Sequence, residues 1–356
     1  MEKIIGLIKS SFPDQHYLLF LIGVMVIAGV LKEKNYLLDI FRIIISRLKN
    51  KKMVLALISL IGGILPISGR VVVSAGLLST IAPKGETARD ETARQKYGII
   101  DYLSTHHYYL WSPLEKTVIL PMAALGLSWA GFMKYTLPLL VISLAYVLWY
   151  ISFKIEEDEI EIAVSPEKVN WKRLVYGFLP FAGAVASAFF FERGSSFIML
   201  GAAAYYIFLS RTSFKKAFSY INWPLVLLLG LIIVLAKFTG GYSKEIEEFI
   251  KSSSWLNLTT VTGVLALSSF AFIASWFMGS SGKFAGILAI LVTIFGPQYL
   301  VWFFVLEFAG YNLSPMHKCV PIGKSYFHTP LATYMTVLTT WMLLLLGYAY
   351  FYTFVL

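Results

Sequence analysis

Charge is scarce in this chain. Only 14% of its 356 residues are Asp, Glu, Lys or Arg, while 58% are hydrophobic. A soluble domain carries about 25% charged residues, and one soluble core cannot absorb so much apolar sequence. Cysteine is scarcer still. Cys319 stands alone, which excludes an intrachain disulfide and a multi-cysteine metal cluster. No Cys–His or His-x-x-x-His spacing supports a metal site, so no metal and no organic cofactor are expected. A Gly-rich phosphate-binding loop is also missing, so ATP does not supply energy within this chain. The first residues lack the pattern of a cleavable signal. Lys3 and Lys9 alternate with apolar residues, and Pro13-Asp14 breaks the run.

What is present is apolar length. A membrane-spanning helix needs roughly 17–25 residues. Eight stretches reach or approach that length: 16–31, 101–127, 133–153, 174–192, 195–210, 223–238, 299–326 and 330–354. The expected fold is therefore an all-α polytopic membrane protein. Two further apolar segments, 53–83 and 257–296, are interrupted by Gly and Ser. Their runs read as too short to cross twice, which makes them re-entrant hairpins. Irregular backbone at membrane depth is tolerated where protein or a water-filled cavity covers it.

The net charge of +10 does not point to nucleic acid. The basic residues sit in short loops between apolar runs and set topology. Segment 32–52 carries Lys32, Lys34, Arg42, Arg47, Lys49, Lys51 and Lys52, and segment 211–216 carries Arg211, Lys215 and Lys216. Both are placed on the cytoplasmic side. The acidic loop 154–173 falls there by counting crossings, although its charge is of the wrong sign. With eight crossings, both termini face outside.

Two pairs of elements repeat. Tyr109-x-x-Ser112-Pro113-x-Glu115-Lys116-x-Val118 matches Tyr311-x-x-Ser314-Pro315-x-His317-Lys318-x-Val320 without gaps. Upstream, Ser68-Gly69-Arg70 matches Ser281-Gly282-Lys283, each followed by an apolar run ending in Pro83 or Pro297. The first half alone inserts a polar stretch, KGETARDETARQK, which reads as a short solvated or interfacial helix. Five crossings separate the starts of the two repeats, and an odd number reverses direction. The repeats are thus expected to be inverted, as in secondary transporters. The domain reading is 1–153 for the first repeat, 154–222 for linking helices that pack the scaffold or a dimer, and 223–356 for the second repeat.

The interruptions are where chemistry is expected. Proline removes a backbone donor and breaks a helix, so Ser112-Pro113 and Ser314-Pro315 give a broken helix in each repeat. Glycine permits close backbone approach, and a half-helix N-terminus favours an anion. Ser68, Gly69, Arg70, Ser281, Gly282 and Lys283 are candidate tip residues. Glu115, Lys116, His317 and Lys318 lie just past the Ser-Pro breaks, and Glu307 precedes the second. Ionisable groups at this depth are costly and functional by default. The cations favour an anionic solute, with Arg70 as its foremost ligand and Glu115 as the competing partner of Arg70. The lysines could instead snorkel to an interface. His106 and His107, followed by Tyr108 and Tyr109, suit either the central site or an interfacial belt.

The stretches LPISGRVVVSAGLLSTIAP, YLSTHHYYLWSPLEKTVILP and GYNLSPMHKCVPIGKSYF resemble an uncharacterised prokaryotic membrane family. That family is grouped with the ion transporter superfamily of dicarboxylate, citrate and arsenite carriers. The matching residues are Leu65-Pro66 with Gly69 and Ser74, Tyr102 to His106, and Ser314 to Cys319. Arg70 stands where a second small residue is usual. The resemblance implies a homodimer in a prokaryotic inner membrane, a mobile domain with two hairpins, and coupling to Na⁺ or H⁺. The sequence therefore reads as a secondary transporter of a small anion, not an enzyme. A membrane-embedded enzyme or translocase acting on a phosphorylated lipid is the alternative. A channel or sensor is a third class, but it would not need two facing hairpins.

Overall fold

A computed structural model of the chain describes residues 16–34, 48–64, 70–112, 115–161, 171–190, 194–221, 256–278, 281–314, 317 and 319–356, with isolated positions between 223 and 253. The described residues are helical with short connections. The helices are α1 His16–Glu33, α2 Lys51–Ile64, α3 Arg70–Ser79, α4 Ala88–His106, α5 Lys116–Leu125, α6 Trp129–Lys154, α7 Trp171–Phe190 and α8 Gly194–Ser210. They continue with α9 Phe214–Ser219, α10 Val261–Met278, α11 Ser281–Phe295, α12 Leu300–Asn312, α13 Cys319–Phe327 and α14 Leu331–Phe354.

Three of these, α6, α10 and α14, are long and apolar enough to cross a membrane. Shorter apolar helices cover Leu18–Leu31, Ser196–Ser210 and Ala285–Phe295. The expected span 223–238 lies largely outside the described residues. The expectation that both runs of 257–296 are too short to cross does not hold for α10, which has 18 residues. The break falls at the expected tip, with α10 ending at Met278 and α11 opening at Ser281, so the first run is itself long enough to cross.

Local signals explain the boundaries. The polar stretch expected to form a separate short helix instead makes the first turns of α4. Thr87 and Asp90 form a reciprocal capping box there, satisfying two otherwise orphaned backbone donors. Ser128 caps α6 by accepting the Gly131 N–H at 3.1 Å. α5 ends at Gly126 in the left-handed conformation, φ +64°, which glycine adopts without penalty.

Polar contacts tie the connecting segments to the helices. Glu33 pairs with Lys216 at 2.8 Å, and Lys52 donates to the Ser152 carbonyl at 2.8 Å. Arg89 pairs with Glu156 at 2.8 Å and Asp158 at 2.7 Å, and Lys96 with Glu159 at 2.6 Å. Three acidic residues of the loop after α6 are thus paired with basic residues of α4. The same loop touches both ends of the α2–α3 unit. Lys51 donates to the carbonyls of Glu157 and Ile160. The Ile81 carbonyl, just past α3, accepts the Glu161 N–H at 2.9 Å.

Packing corresponds between the halves. α2 packs on α3 and α4, and their sequence counterpart α10 packs on α11 and α12. α3 lies against α13, and reciprocally α11 lies against α5. α4 contacts α6 as α12 contacts α14, and α6 meets its counterpart α14.

Candidate functional site

Each Ser-Pro pair follows a helix that ends early. α4 passes into a short 3₁₀ turn, His107–Leu110, and α12 stops at Asn312. Beyond each break the backbone turns in the same way. The Glu115 N–H donates to the Ser112 carbonyl at 3.0 Å, and the matched His317 N–H donates to the Ser314 carbonyl at 3.1 Å. Val118 and Val320 then donate to the carbonyls of Glu115 and His317. A broken helix leaves carbonyls unsatisfied, and those buried in apolar surroundings need donors. Tryptophan supplies one in each half. Trp129 Nε1 donates to the Trp111 carbonyl at 2.7 Å, and Trp276 Nε1 to the Leu313 carbonyl at 3.1 Å. Trp111 and Leu313 are matched positions; the two indoles come from non-equivalent helices.

The two breaks meet. The hydroxyls of Tyr109 and Tyr311 lie 3.3 Å apart, across 202 residues of sequence. Around them is a buried polar cluster. His106 Nε2 is 2.9 Å from His317 Nε2. Tyr102 stacks on His106 at 3.8 Å between ring centroids, and its hydroxyl donates to Asn312 Oδ1 at 3.0 Å. His106, His107, Tyr108 and Tyr109 are all buried within the protein.

The predicted site residues fare unevenly. Ser112 and Ser314 are buried, and Ser314 donates its hydroxyl to the Trp276 carbonyl. His317 is buried in the cluster. Glu115 is half-buried and occupies the position before α5. Ser68, Gly69, Pro113, Pro315 and Lys318 lie outside the described residues. Arg70 and Ser281 are the first residues of α3 and α11, Gly282 and Lys283 follow Ser281, and Lys116 opens α5. The side chains of Arg70, Lys116, Ser281 and Lys283 lie outside the described residues, as does the proposed Arg70–Glu115 contact.

Sequence reasoning missed Asp101. It is fully buried in α4, beside Ser74 of α3, while Glu307 in α12 lies beside the Leu288 backbone of α11. One Asp101 oxygen and both Glu307 oxygens lack a hydrogen bond of ordinary geometry among the described residues. The signal was available, because Asp101 is the one carboxylate between Glu91 and Glu115. Local spacing had also argued against any metal ligand set. The fold nevertheless brings ligand atoms of His106, His317 and Cys319 within 4.8 Å of one another.

No family model matches the chain, and no curated protein matches it. A solved structure does. The chain shares the fold of the Alcanivorax borkumensis YdaH transporter. The superposition covers 98% of this chain and 86% of that one, with a TM-score of 0.62 and 13% sequence identity. That structure is described as having an unusual topology. At this identity the likeness is one of fold.

Proposed function

We propose that the protein is a secondary transporter of a small anionic solute, working by alternating access between two inverted repeats in a prokaryotic inner membrane. The observation that carries this reading is the meeting of Tyr109 with Tyr311. A residue can touch its own repeat counterpart only near an axis relating the two halves, and transporter sites lie at such repeat interfaces. The matched Ser-Pro turns and the reciprocal packing of α3 on α13 and α11 on α5 support it, as does the transporter fold. That both ends of the α2–α3 unit touch the loop 157–161 supports a re-entrant first hairpin. The second hairpin rests on the sequence match at Ser281-Gly282-Lys283, and α10 is long enough to cross by itself.

Substrate contacts are assigned to Ser68, Gly69, Arg70, Ser281, Gly282 and Lys283 at the tips, and to the Ser112-Pro113-x-Glu115-Lys116 and Ser314-Pro315-x-His317-Lys318 breaks. Asp101 and Glu307 are the carriers of the coupling ion, Na⁺ or H⁺. A buried carboxylate needs a cation or a proton, and each flanks the second helix of a hairpin. The placement in the ion transporter superfamily, homodimerisation and external termini belong to the same proposal. No observation among the described residues favours the phospholipid-enzyme alternative.

The test is uptake into proteoliposomes of labelled carboxylates and inorganic anions, with and without Na⁺ and pH gradients. Gradient-dependent accumulation of one of them is expected, abolished in Gly69→Val or Gly282→Val protein that still inserts. Absence of accumulation under every gradient, with activity on a phosphorylated lipid instead, would overturn the reading.

A further inference from the structure

His106 closes α4, His317 lies in the turn beyond the second break, and Cys319 opens α13. Their hydrogen bonds fix what they present to one another. His106 Nδ1 lies 2.7 Å from the Tyr102 carbonyl oxygen, and His317 Nδ1 lies 3.0 Å from the Tyr311 carbonyl oxygen. A carbonyl oxygen only accepts, so each Nδ1 carries the proton and each neutral ring presents a lone pair at Nε2. Those two Nε2 atoms face each other at 2.9 Å. At that distance the two nitrogens share a cation, either one proton, as in a hydrogen bond between the rings, or a metal ion; the Tyr102 hydroxyl lies 3.4 Å from His317 Nε2 beside them. Anchoring Nδ1–H on a backbone carbonyl is also the usual outer support of a metal-binding imidazole.

The third donor is a thiol. Cys319 is half-buried. It is the first residue of a nine-residue helix.

We propose that His106, His317 and Cys319 form a binding site for one Zn²⁺-class cation, with a fourth coordination position open. Two imidazole nitrogens and one sulfur suit a borderline-soft d¹⁰ ion. Zn–N bonds of about 2.0–2.1 Å and a Zn–S bond of about 2.3 Å at tetrahedral angles set the nitrogens roughly 3.3 Å apart and the sulfur roughly 3.6 Å from each, so the rings part by about 0.4 Å and the sulfur closes in from within the 4.8 Å that spans the group. Three protein ligands leave a position for water or a solute group, as in non-structural zinc sites. Among the described residues the set occurs once. Along the repeat offset of 202 residues, the counterparts of His106, His317 and Cys319 are Phe308, Glu115 and Thr117, which are not an equivalent donor set. The proposal does not rest on the transport reading.

The chain has one cysteine, so any thiolate signal reports Cys319. Tag-free, chelator-treated protein in detergent is titrated with Co²⁺ and, by calorimetry, with Zn²⁺. A His328→Ala background removes the exposed His328–Glu91 pair as a competing site. One Co²⁺ per chain is expected, with a sulfur-to-cobalt charge-transfer band. Cys319→Ser should abolish the band and weaken Zn²⁺ binding tenfold or more, while Cys319→His should restore the affinity without the band. His106→Gln should weaken binding similarly. Should that variant misfold, protection of Cys319 from maleimide by Zn²⁺ in the otherwise unaltered protein is the independent readout. No band, no protection, or Zn²⁺ affinity unchanged in Cys319→Ser would overturn the proposal and leave two imidazoles sharing one proton.

Discussion

Tyr109 and Tyr311 occupy the same place in two copies of one motif, and their hydroxyls lie 3.3 Å apart. Their rings meet edge to face, with centroids 5.6 Å apart. A neutral buried hydrogen bond contributes about 0.5–1.5 kcal/mol. The cycle Tyr109→Phe, Tyr311→Phe and the double variant should therefore give a coupling energy in that range, read by denaturant unfolding in detergent. A coupling of zero would mean that the two breaks do not touch in the folded protein.

Gly63 and Gly310 let helix backbones touch. A Cβ on Gly63 would overlap the Ser104 carbonyl, and one on Gly310 the Phe272 carbonyl. Gly63→Ala and Gly310→Ala should each lower stability by about 1–3 kcal/mol, because a backbone atom cannot rotate aside. Gly347→Ala, with open space around it, is the control and should change stability by less than about 0.5 kcal/mol. Equal thermal midpoints for all three variants would contradict the packing.

Glu33, at the loop end of α1, is held below its ordinary value of 4.5 by the hydrogen bond from Lys216, then by that from Tyr220 and by the Lys216 charge. A carboxylate with a depressed folded pKa contributes stability that is present above its unfolded pKa. That contribution is lost as pH falls through the folded value. Unfolding profiles of the native protein and Glu33→Gln should therefore differ at neutral pH and converge in acid. The gap should also narrow in high salt, since the pair is exposed. A gap that widens on acidification would reverse the assignment.

The Glu33–Lys216 bridge ties together the two basic segments that charge alone assigns to the cytoplasm. Cysteines introduced at positions 49 and 215 on a Cys319→Ser background should both react with impermeant maleimide only after the cells are opened. Labelling of position 49 in intact cells would invert the topology.

Arg70 is the side chain assigned to the anion. Arg70→Lys keeps the charge and loses the bidentate fork. Apparent substrate affinity should fall about tenfold or more, consistent with loss of a charge-assisted hydrogen bond of roughly 1.5–3 kcal/mol. Detergent stability should change little. If stability drops instead, and drops equally in Glu115→Gln, Arg70 is a structural partner of Glu115.

The helical class was legible in the sequence, and α4 with its 3₁₀ turn and α12 end just before Ser112-Pro113 and Ser314-Pro315, where proline leaves a local mark. Boundaries set by capping were less visible. The polar insertion belongs to α4 because Thr87 and Asp90 cap it there, and helical wheel reasoning alone does not join it to the span. Asp101 escaped notice although a lone carboxylate in an apolar run is a strong signal. The meeting of His106 with His317 had no local signal at all, since 211 residues separate them. Only the close crossing of α4 with the second break makes those nitrogens neighbours.

The glycine contacts have a mechanical meaning. α2 is keyed to α4 at Gly63, and α10 to α12 at Gly310, by backbone lying in a notch that has no side chain to yield. Neither helix can slide or roll along its partner without first lifting out. Each pair must then travel as one stiff piece. The halves meet instead through side chains, where α3 and α4 rest on α13 and α11 rests on α5.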